Sequence, residues 1–153
     1  MTLYAKNTDV SVSKSKQDID KILSKYRADR RGIIEEPGRA LIVFERDGRR
    51  VQMEMFLPHP ESKEFKRVRS SYGHQAGDFD PVKHEQACRQ KWRALGLVLK
   101  AKLEAVESGI TSFETEFLAH IFLPGGGTVG KWIGPQLETS YKTGKMPKLL
   151  SAG

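Results

Sequence analysis

The sequence is poor in cysteine and has no long apolar run. Cys88 is the single cysteine in 153 residues, so no disulfide can form within the chain, which favours a reducing compartment. The first residues lack the apolar stretch of a signal peptide, and no later segment approaches the roughly 20 apolar residues that cross a bilayer. We therefore expect a cytoplasmic protein with no membrane partner.

Catalytic and metal-binding motifs are also missing. The four histidines are His59, His74, His84 and His120. They lie far apart and never stand at a zinc-type spacing from the cysteine. Glu116 and His120 have the spacing of a shared helix face, but such a pair is more often an ordinary surface ion pair. No nucleophile motif is present, so we expect no enzyme, no metal and no cofactor.

Residues 125–131, Gly-Gly-Gly-Thr-Val-Gly-Lys, match part of a phosphate-binding loop, in which backbone N–H groups hold phosphate and the lysine neutralises it. The next residue is Trp132, where that motif needs Ser or Thr to hold magnesium. The chain after Lys131 is also too short for the parallel sheet of that fold. The segment therefore predicts a flexible connector.

The charge that is present is mostly positive. The chain has 26 Lys and Arg against 19 Asp and Glu, a formal net charge of +7 and a pI of about 9.6. Such a field attracts polyanions, because neutralised phosphates release their counterions. It also suits acidic proteins or anionic membranes. The length suits a single domain over residues 1–153.

The first predicted helix covers residues 13–27. Its apolar face has the i, i+3, i+4, i+7 spacing and contains Ile19, Ile22, Leu23 and Tyr26. Ser15 followed by Asp18 resembles a capping box at the start of this helix.

Residues 32–57 predict a three-stranded antiparallel meander, because three β-rich runs are divided by Pro37-Gly38 and Asp47-Gly48. An Asp-Gly turn of two residues determines the register of the second hairpin. The predicted partners are Arg46 with Arg49, Phe44 with Val51, Ile42 with Met53 and Ala40 with Met55. This register makes one face of the hairpin apolar.

Asp80-Pro81 predicts the start of a long helix and Gly109 its end. Its apolar stripe, the predicted cover of the sheet, contains Cys88, Trp92, Leu95, Leu99, Leu103 and Val106. Thr111 and Glu114 resemble a second capping box. This box predicts the start of a short helix whose core-facing residues are Phe113, Phe117, Leu118 and Ile121.

A last helix is predicted over residues 128–141, ended by Gly144. The expected fold is α+β: an N-terminal helix, a three-stranded antiparallel meander covered by a long helix, and two shorter C-terminal helices. Residues 145–153 are expected to form a loose tail.

Residues 58–79 lack periodicity and predict a mobile basic loop. Its basic residues are Lys63, Lys66, Arg67 and Arg69, and its aromatic residues include Phe65 and Tyr72. Basic side chains follow phosphates while aromatic rings stack on bases, which is how single strands are held without sequence preference. A disordered polar loop is the alternative.

Two further basic groups extend this surface. Arg89, Arg93 and Lys100 fall in one stripe of the long helix, for which a merely solvated helix face is the alternative. Arg46, Arg49 and Arg50 stand at the hairpin tip. The predicted nucleic-acid contacts are therefore the tip, the loop and the stripe.

Three phrases resemble a family of small phage and prophage proteins: residues 88–110, residues 117–120 (Phe-Leu-Ala-His) and residues 128–132 (Thr-Val-Gly-Lys-Trp). The resemblance covers most of the chain and implies a mobile-element origin and a host cytoplasm. The family has no settled activity, so no catalytic residue follows from it. The order of elements is also similar to the core of single-strand annealing recombination proteins, a likeness of fold only.

The leading hypothesis is a non-enzymatic phage protein that binds DNA or RNA, single-stranded DNA above all, in recombination or replication. The alternative is a protein that inhibits a host nuclease or defence complex by binding an acidic host protein. An enzyme with an unrecognised site is the third alternative. Homo-oligomerisation stays open.

Overall fold

A computed structural model describes residues 3–68 and 73–146. The helices and strands are α1 (Val12–Lys25), β1 (Asp29–Glu36), β2 (Arg39–Arg46), β3 (Arg49–Phe56), α2 (Pro81–Glu107), α3 (Phe113–Phe117) and α4 (Val129–Thr143). Short 3-10 turns cover Lys63–Phe65 and Leu118–His120. The predicted α+β fold is confirmed. No helix in the described ranges is both long and apolar enough to span a membrane.

Helix α1 begins earlier than the sequence predicted. Ser11, in extended conformation, is the N-cap and accepts a hydrogen bond from the Lys14 backbone N–H at 3.1 Å. The predicted capping box at Ser15 is wrong, because Ser15 lies inside the helix and is buried. The predicted apolar face is confirmed, since Ile19 and Leu23 are in the core.

The sheet has the order β1-β2-β3, and both neighbouring pairs are antiparallel. The predicted register of the second hairpin is confirmed in full. Its partners are Arg46 with Arg49, Phe44 with Val51, Ile42 with Met53 and Ala40 with Met55. Asp47 and Gly48 have φ of 51° and 73°, the positive values that a type I′ turn requires.

One face of this sheet packs into the core. Ala40, Ile42, Phe44 and Val51 are fully buried there. The core also takes side chains from both α1 and α2, so the sheet is covered by two helices rather than by α2 alone. The helices run in the same direction, because Asp18 meets Arg93 near the middle of both helices and Tyr26 meets Glu104 near their ends.

The start of α2 matches its prediction. Asp80 is the N-cap and accepts from the Lys83 backbone N–H at 3.2 Å, and Pro81 opens the helix. The buried residues of its predicted stripe are Trp92, Leu95, Leu99 and Leu103.

The short helix α3 is capped by Ser112, so the predicted capping box at Thr111 is wrong by one residue. Phe113 and Phe117 pack edge-on against Phe44, with ring centroids 6.4 and 5.6 Å away. Leu118 was predicted to face inward but is 53% exposed, because the chain tightens into the 3-10 turn at that residue.

Helix α4 starts after Thr128, whose hydroxyl accepts from the Lys131 backbone N–H, and ends at Gly144 in the left-handed conformation. The predicted end is confirmed. None of the residues of α4 is buried.

The described part of residues 58–79 contains specific contacts. Phe65 is buried and packs edge-on against His84, with ring centroids 5.0 Å apart. Arg67 and Asp78 pair through a backbone hydrogen bond of 2.8 Å. The prediction that Phe65 stacks on bases is wrong, because burial occupies its ring. Residues 69–72 and 147–153, with Arg69, Tyr72 and most of the predicted tail, lie outside the described residues.

Candidate nucleic-acid interface

The cations at the hairpin tip are largely occupied. Arg46 donates to Glu107 at 2.7 Å and lies over the ring of Phe113, 5.3 Å from its centroid. Its side chain is only 11% exposed. Arg49 pairs with Glu114 at 2.7 Å. Arg46 therefore holds the tip to the end of α2 and Arg49 holds it to the first turn of α3, and the burial of Arg46 keeps its charge from an external anion.

Arg50 is the third predicted cation of the tip. It is exposed and lies over the ring of Phe122, 4.8 Å from its centroid. Within the described ranges it makes no ion pair, so its charge remains available.

The loop contributes a mixed set. Arg67 lies 3.9 Å from the Asp80 carboxylate, the N-cap of α2. Lys63 and Lys66 are exposed and make no ion pair with any described residue. Arg69 lies outside the described residues.

The tip and the loop stand at opposite ends of α2. Arg46 binds Glu107, the last residue of the helix, whereas Arg67 binds Asp80, its N-cap. A helix of 27 residues is about 40 Å long at 1.5 Å per residue. The structure therefore does not bring the predicted tip and loop contacts into one compact patch.

The three cations of the predicted stripe on α2 do not share one site either. Arg89 pairs with Glu85 at 2.6 Å, on the same helix. Arg93 lies 3.4 Å from Asp18, and Lys100 is exposed. Arg93 and Lys100 line the same groove, and Arg89 does not.

That groove lies between α1 and α2 and has a volume of about 390 Å³. Four cations line it: Lys21 and Lys25 from α1, and Arg93 and Lys100 from α2. We call it the basic groove. Among the described residues, none forms an ion pair with Lys21, Lys25 or Lys100. The groove thus gathers three cations from two helices that have no ion-pair partner in the described part of the chain.

Lys21 and Lys25 were missed by the sequence prediction. Their spacing of four residues places both on one side of α1, which is a readable signal. Their meeting with Arg93 and Lys100 depends on the parallel packing of α1 beside α2, which the sequence pattern alone does not reveal.

Asp18 is the carboxylate that lines the basic groove. A hydrogen bond from Lys14 lowers the pKa of Asp18, and the charges of Arg93 and Lys21 act in the same direction. Asp18 is therefore ionised at neutral pH and offsets part of the positive field. It binds one groove cation, Arg93, and leaves the lysines unpaired.

A second carboxylate, Glu104, lies near the end of the groove. The hydrogen bond from the Tyr26 hydroxyl lowers the pKa of Glu104, and the charges of Lys25 and Lys100 add to that effect. The contact also raises the pKa of Tyr26, so this phenol stays protonated. Neither lysine is close enough to Glu104 to form an ion pair.

An exposed aromatic residue lies at the rim. Tyr4 lines the groove and is 51% exposed. Its segment is fixed to α2, because Gln90 donates to the Tyr4 carbonyl at 2.9 Å and Gln86 donates to the Thr8 carbonyl at 3.0 Å. These bonds hold the backbone of the segment beside the groove, and an exposed aromatic residue near several cations suits a base next to phosphates.

Other chemistry finds little support in the described part of the chain. No cluster of three or more metal-ligating side chains occurs there. Lys131, the lysine of the phosphate-loop near-match, pairs with Glu54 at 3.0 Å. Glu116 pairs with Lys102 rather than His120. Burial raises the pKa of Cys88, so its thiol is protonated at neutral pH.

Comparisons of this chain with protein-family models, with curated proteins and with solved structures find no match. The resemblance to small phage proteins stays a prediction. The function is therefore argued from the geometry of the basic groove.

Proposed function

We propose that this protein binds nucleic acid, single strands in particular, and that the basic groove is its main contact site. One observation carries the proposal: Lys21, Lys25 and Lys100 line a single groove without an ion pair to any described residue. An unpaired ammonium group loses no internal partner when it meets a phosphate. Contacts of this kind release counterions from the strand and provide most of the affinity.

The aromatic residue at the rim favours a single strand over a duplex. Tyr4 is half exposed and lies beside the groove cations. A base must be unstacked to lie on such a ring, and the bases of a single strand are free to do so. Stacking does not depend strongly on the base, so we expect weak sequence preference.

Fluorescence polarisation with a labelled single strand tests the proposal. Three phosphate contacts, one for each unpaired lysine, predict that the logarithm of the affinity falls with the logarithm of the salt concentration with a slope of about −2. A duplex of the same length should bind more weakly. No detectable binding at low salt would exclude the proposed function.

A charge-matched pair of variants locates the site. The triple substitution Lys21→Ala, Lys25→Ala, Lys100→Ala removes three positive charges from the groove. The triple substitution Lys91→Ala, Lys131→Ala, Lys142→Ala removes three from elsewhere, so the net charge of the two variants is equal. We expect the groove variant to lose about two units of salt slope and the control to keep its slope. Equal losses would show that net charge acts without a defined site.

As part of this proposal, the biological setting is a phage or prophage accessory role in recombination or replication, in the cytoplasm of the host. Both processes expose single strands that need a binding protein. The proposal assigns no catalytic step to the protein.

Inhibition of a host nuclease or defence complex is a second candidate, and helix α4 favours it. This helix has no buried residue and exposes Trp132, Leu137 and Tyr141 by 48%, 43% and 88%. Exposed aromatic residues are common at protein interfaces. Pull-down from nuclease-treated host lysate separates the candidates. A single protein retained by the wild type and lost with Trp132→Ala would favour inhibition.

A further inference from the structure

Strand β1 is an open edge of the sheet. In the described part of the chain it pairs with β2 alone, and seven of its eight residues are exposed. The opposite edge, β3, is partly covered, because the Phe122 N–H donates to the Arg50 carbonyl at 2.8 Å. A bulge interrupts β1 between Asp29 and Gly32, so residues 32–36 are the regular stretch that offers free N–H and C=O groups to another strand.

The register shows which backbone groups are free. Glu36 and Arg39 flank the two-residue turn between β1 and β2, so they form a hydrogen-bonded pair. The alternation of an antiparallel ladder then makes Ile34 bond to β2 as well. The N–H and C=O groups of Ile33 and Glu35 therefore point toward the open edge.

The side chains along this edge are complementary to themselves. Residues 31–35 carry opposite charges at their two ends. Arg31 and Gly32 precede the central Ile33, and Ile34 and Glu35 follow it. An antiparallel pair of such strands centred on Ile33 sets Gly32 opposite Ile34 and brings Arg31, the bulge residue next to Gly32, beside Glu35. This register also sets the outward-pointing backbone groups of the two strands against each other.

We propose that β1 pairs antiparallel with β1 of a second copy of this chain, centred on Ile33, which joins the two sheets into one of six strands. This inference is independent of the nucleic-acid proposal. A two-fold axis through Ile33 makes the contact self-complementary and closed, as in most homodimers.

The outer face of the sheet supports this pairing. Ile34 is 52% exposed, and nothing lies within 4 Å of the position that a Cβ would occupy on Gly32. In the proposed pair the Ile34 side chain of each copy lies over the Gly32 of the other. The pairing therefore covers an exposed apolar side chain in a space that glycine leaves open.

The core side of the edge carries matching charges. Lys16 of α1 pairs with Glu35 at 2.7 Å, and Asp20 of α1 pairs with Arg31 at 2.6 Å. In the proposed register, the Lys16–Glu35 ion pair of one copy lies beside the Asp20–Arg31 ion pair of the other copy. The two copies of α1 then run antiparallel on one face of the joined sheet, with opposite charges at each level.

Sedimentation velocity on nuclease-treated protein tests the dimer. The wild type should reach twice the monomer mass of 17.3 kDa as its concentration rises from about 10 to about 500 µM. The substitution Ile34→Lys should shift it to the monomer, because the lysine would lie opposite Gly32 at the centre of the contact. A wild type that stays monomeric throughout this range would overturn the proposal.

Phe56→Lys is the matched control. Phe56 is 74% exposed at the end of β3, on the same outer face as Ile34 but away from the open edge. We expect this variant to remain dimeric, with circular dichroism showing that both variants are folded. Dissociation by Phe56→Lys as well as by Ile34→Lys would place the contact on the outer face and overturn the edge pairing.

Cysteine cross-linking tests the register. In a Cys88→Ser background, the variants Gly32→Cys and Ile34→Cys are oxidised separately and as a mixture. Opposed positions in a pair without hydrogen bonds bring Cβ atoms within disulfide range. We expect the mixture to form a reducible dimer much faster than either variant alone. Equal rates in all three samples would exclude this register.

Discussion

The hairpin tip and the basic groove both gather cations from neighbouring segments, but their cations have different partners. Arg46 and Arg49 at the tip are each bound to a glutamate 2.7 Å away. Lys21 and Lys25 in the groove have no carboxylate at ion-pair distance among the described residues. The tip arginines hold elements of the fold together, whereas the groove lysines remain available to a ligand.

This difference shows that the number of positive charges on a surface does not determine how many of them are available to a ligand. A paired arginine must give up its carboxylate before it can bind a phosphate, and that exchange offsets much of the gain. A solvated lysine makes no such exchange. We therefore expect tip substitutions to change stability and groove substitutions to change binding.

The largest expected effect is on binding, from charge reversal in the groove. The double substitution Lys21→Glu, Lys25→Glu should weaken single-strand affinity by about 100-fold, because two attractive contacts become repulsive. The matched control is Lys63→Glu, Lys66→Glu in the loop, which changes the charge equally. We expect less than about a threefold change from the control. Polarisation titrations at fixed salt compare them, and a larger loss in the control would move the site to the loop.

The next effect is on stability, from the tip. Arg46→Ala should lower the free energy of unfolding by about 1–2 kcal/mol, because it removes the pair with Glu107 and the contact with the Phe113 ring. Urea denaturation measures this change. Lys100→Ala is the control and should stay within about 0.5 kcal/mol of the wild type. If Arg46→Ala instead left stability unchanged and abolished binding, the hairpin tip rather than the basic groove would be the binding site.

A smaller effect is expected from the carboxylate in the groove. Asp18→Asn should raise single-strand affinity by about threefold to fivefold, because it removes a negative charge beside Arg93 and Lys21. Asp20→Asn is the control, since Asp20 pairs with Arg31 and does not line the groove. Polarisation distinguishes the two variants. Equal gains would mean that net charge, rather than position, controls the affinity.

Much of the fold was predictable because its signals are local. The turn at Asp47-Gly48 and the alternation around it determined the register of β2 and β3. The errors at helix starts have a simple reason: Ser11 and Ser15, like Thr111 and Ser112, are all residues that cap helices well, and only packing selects between them.

The site was less predictable because it depends on distant contacts. Arg46 and Glu107 are 61 residues apart in sequence, so no local pattern reveals that this arginine is occupied. Lys21 joins Arg93 only because two helices pack in parallel. Counting basic residues therefore found the charge of the protein but not the place where it is available.

The smallest expected effect concerns pH and Asp18. Its folded pKa is lowered by the Lys14 hydrogen bond, so its contribution to stability is present above the unfolded value of about 3.9 and is lost as the pH falls through the folded value. The pair is exposed, so Asp18→Asn should cost less than about 1 kcal/mol at pH 7. That cost should disappear in acid. Denaturation of both proteins between about pH 7 and pH 2.5 measures it, and a cost that persists unchanged in acid would show that Asp18 acts through packing rather than through its charge.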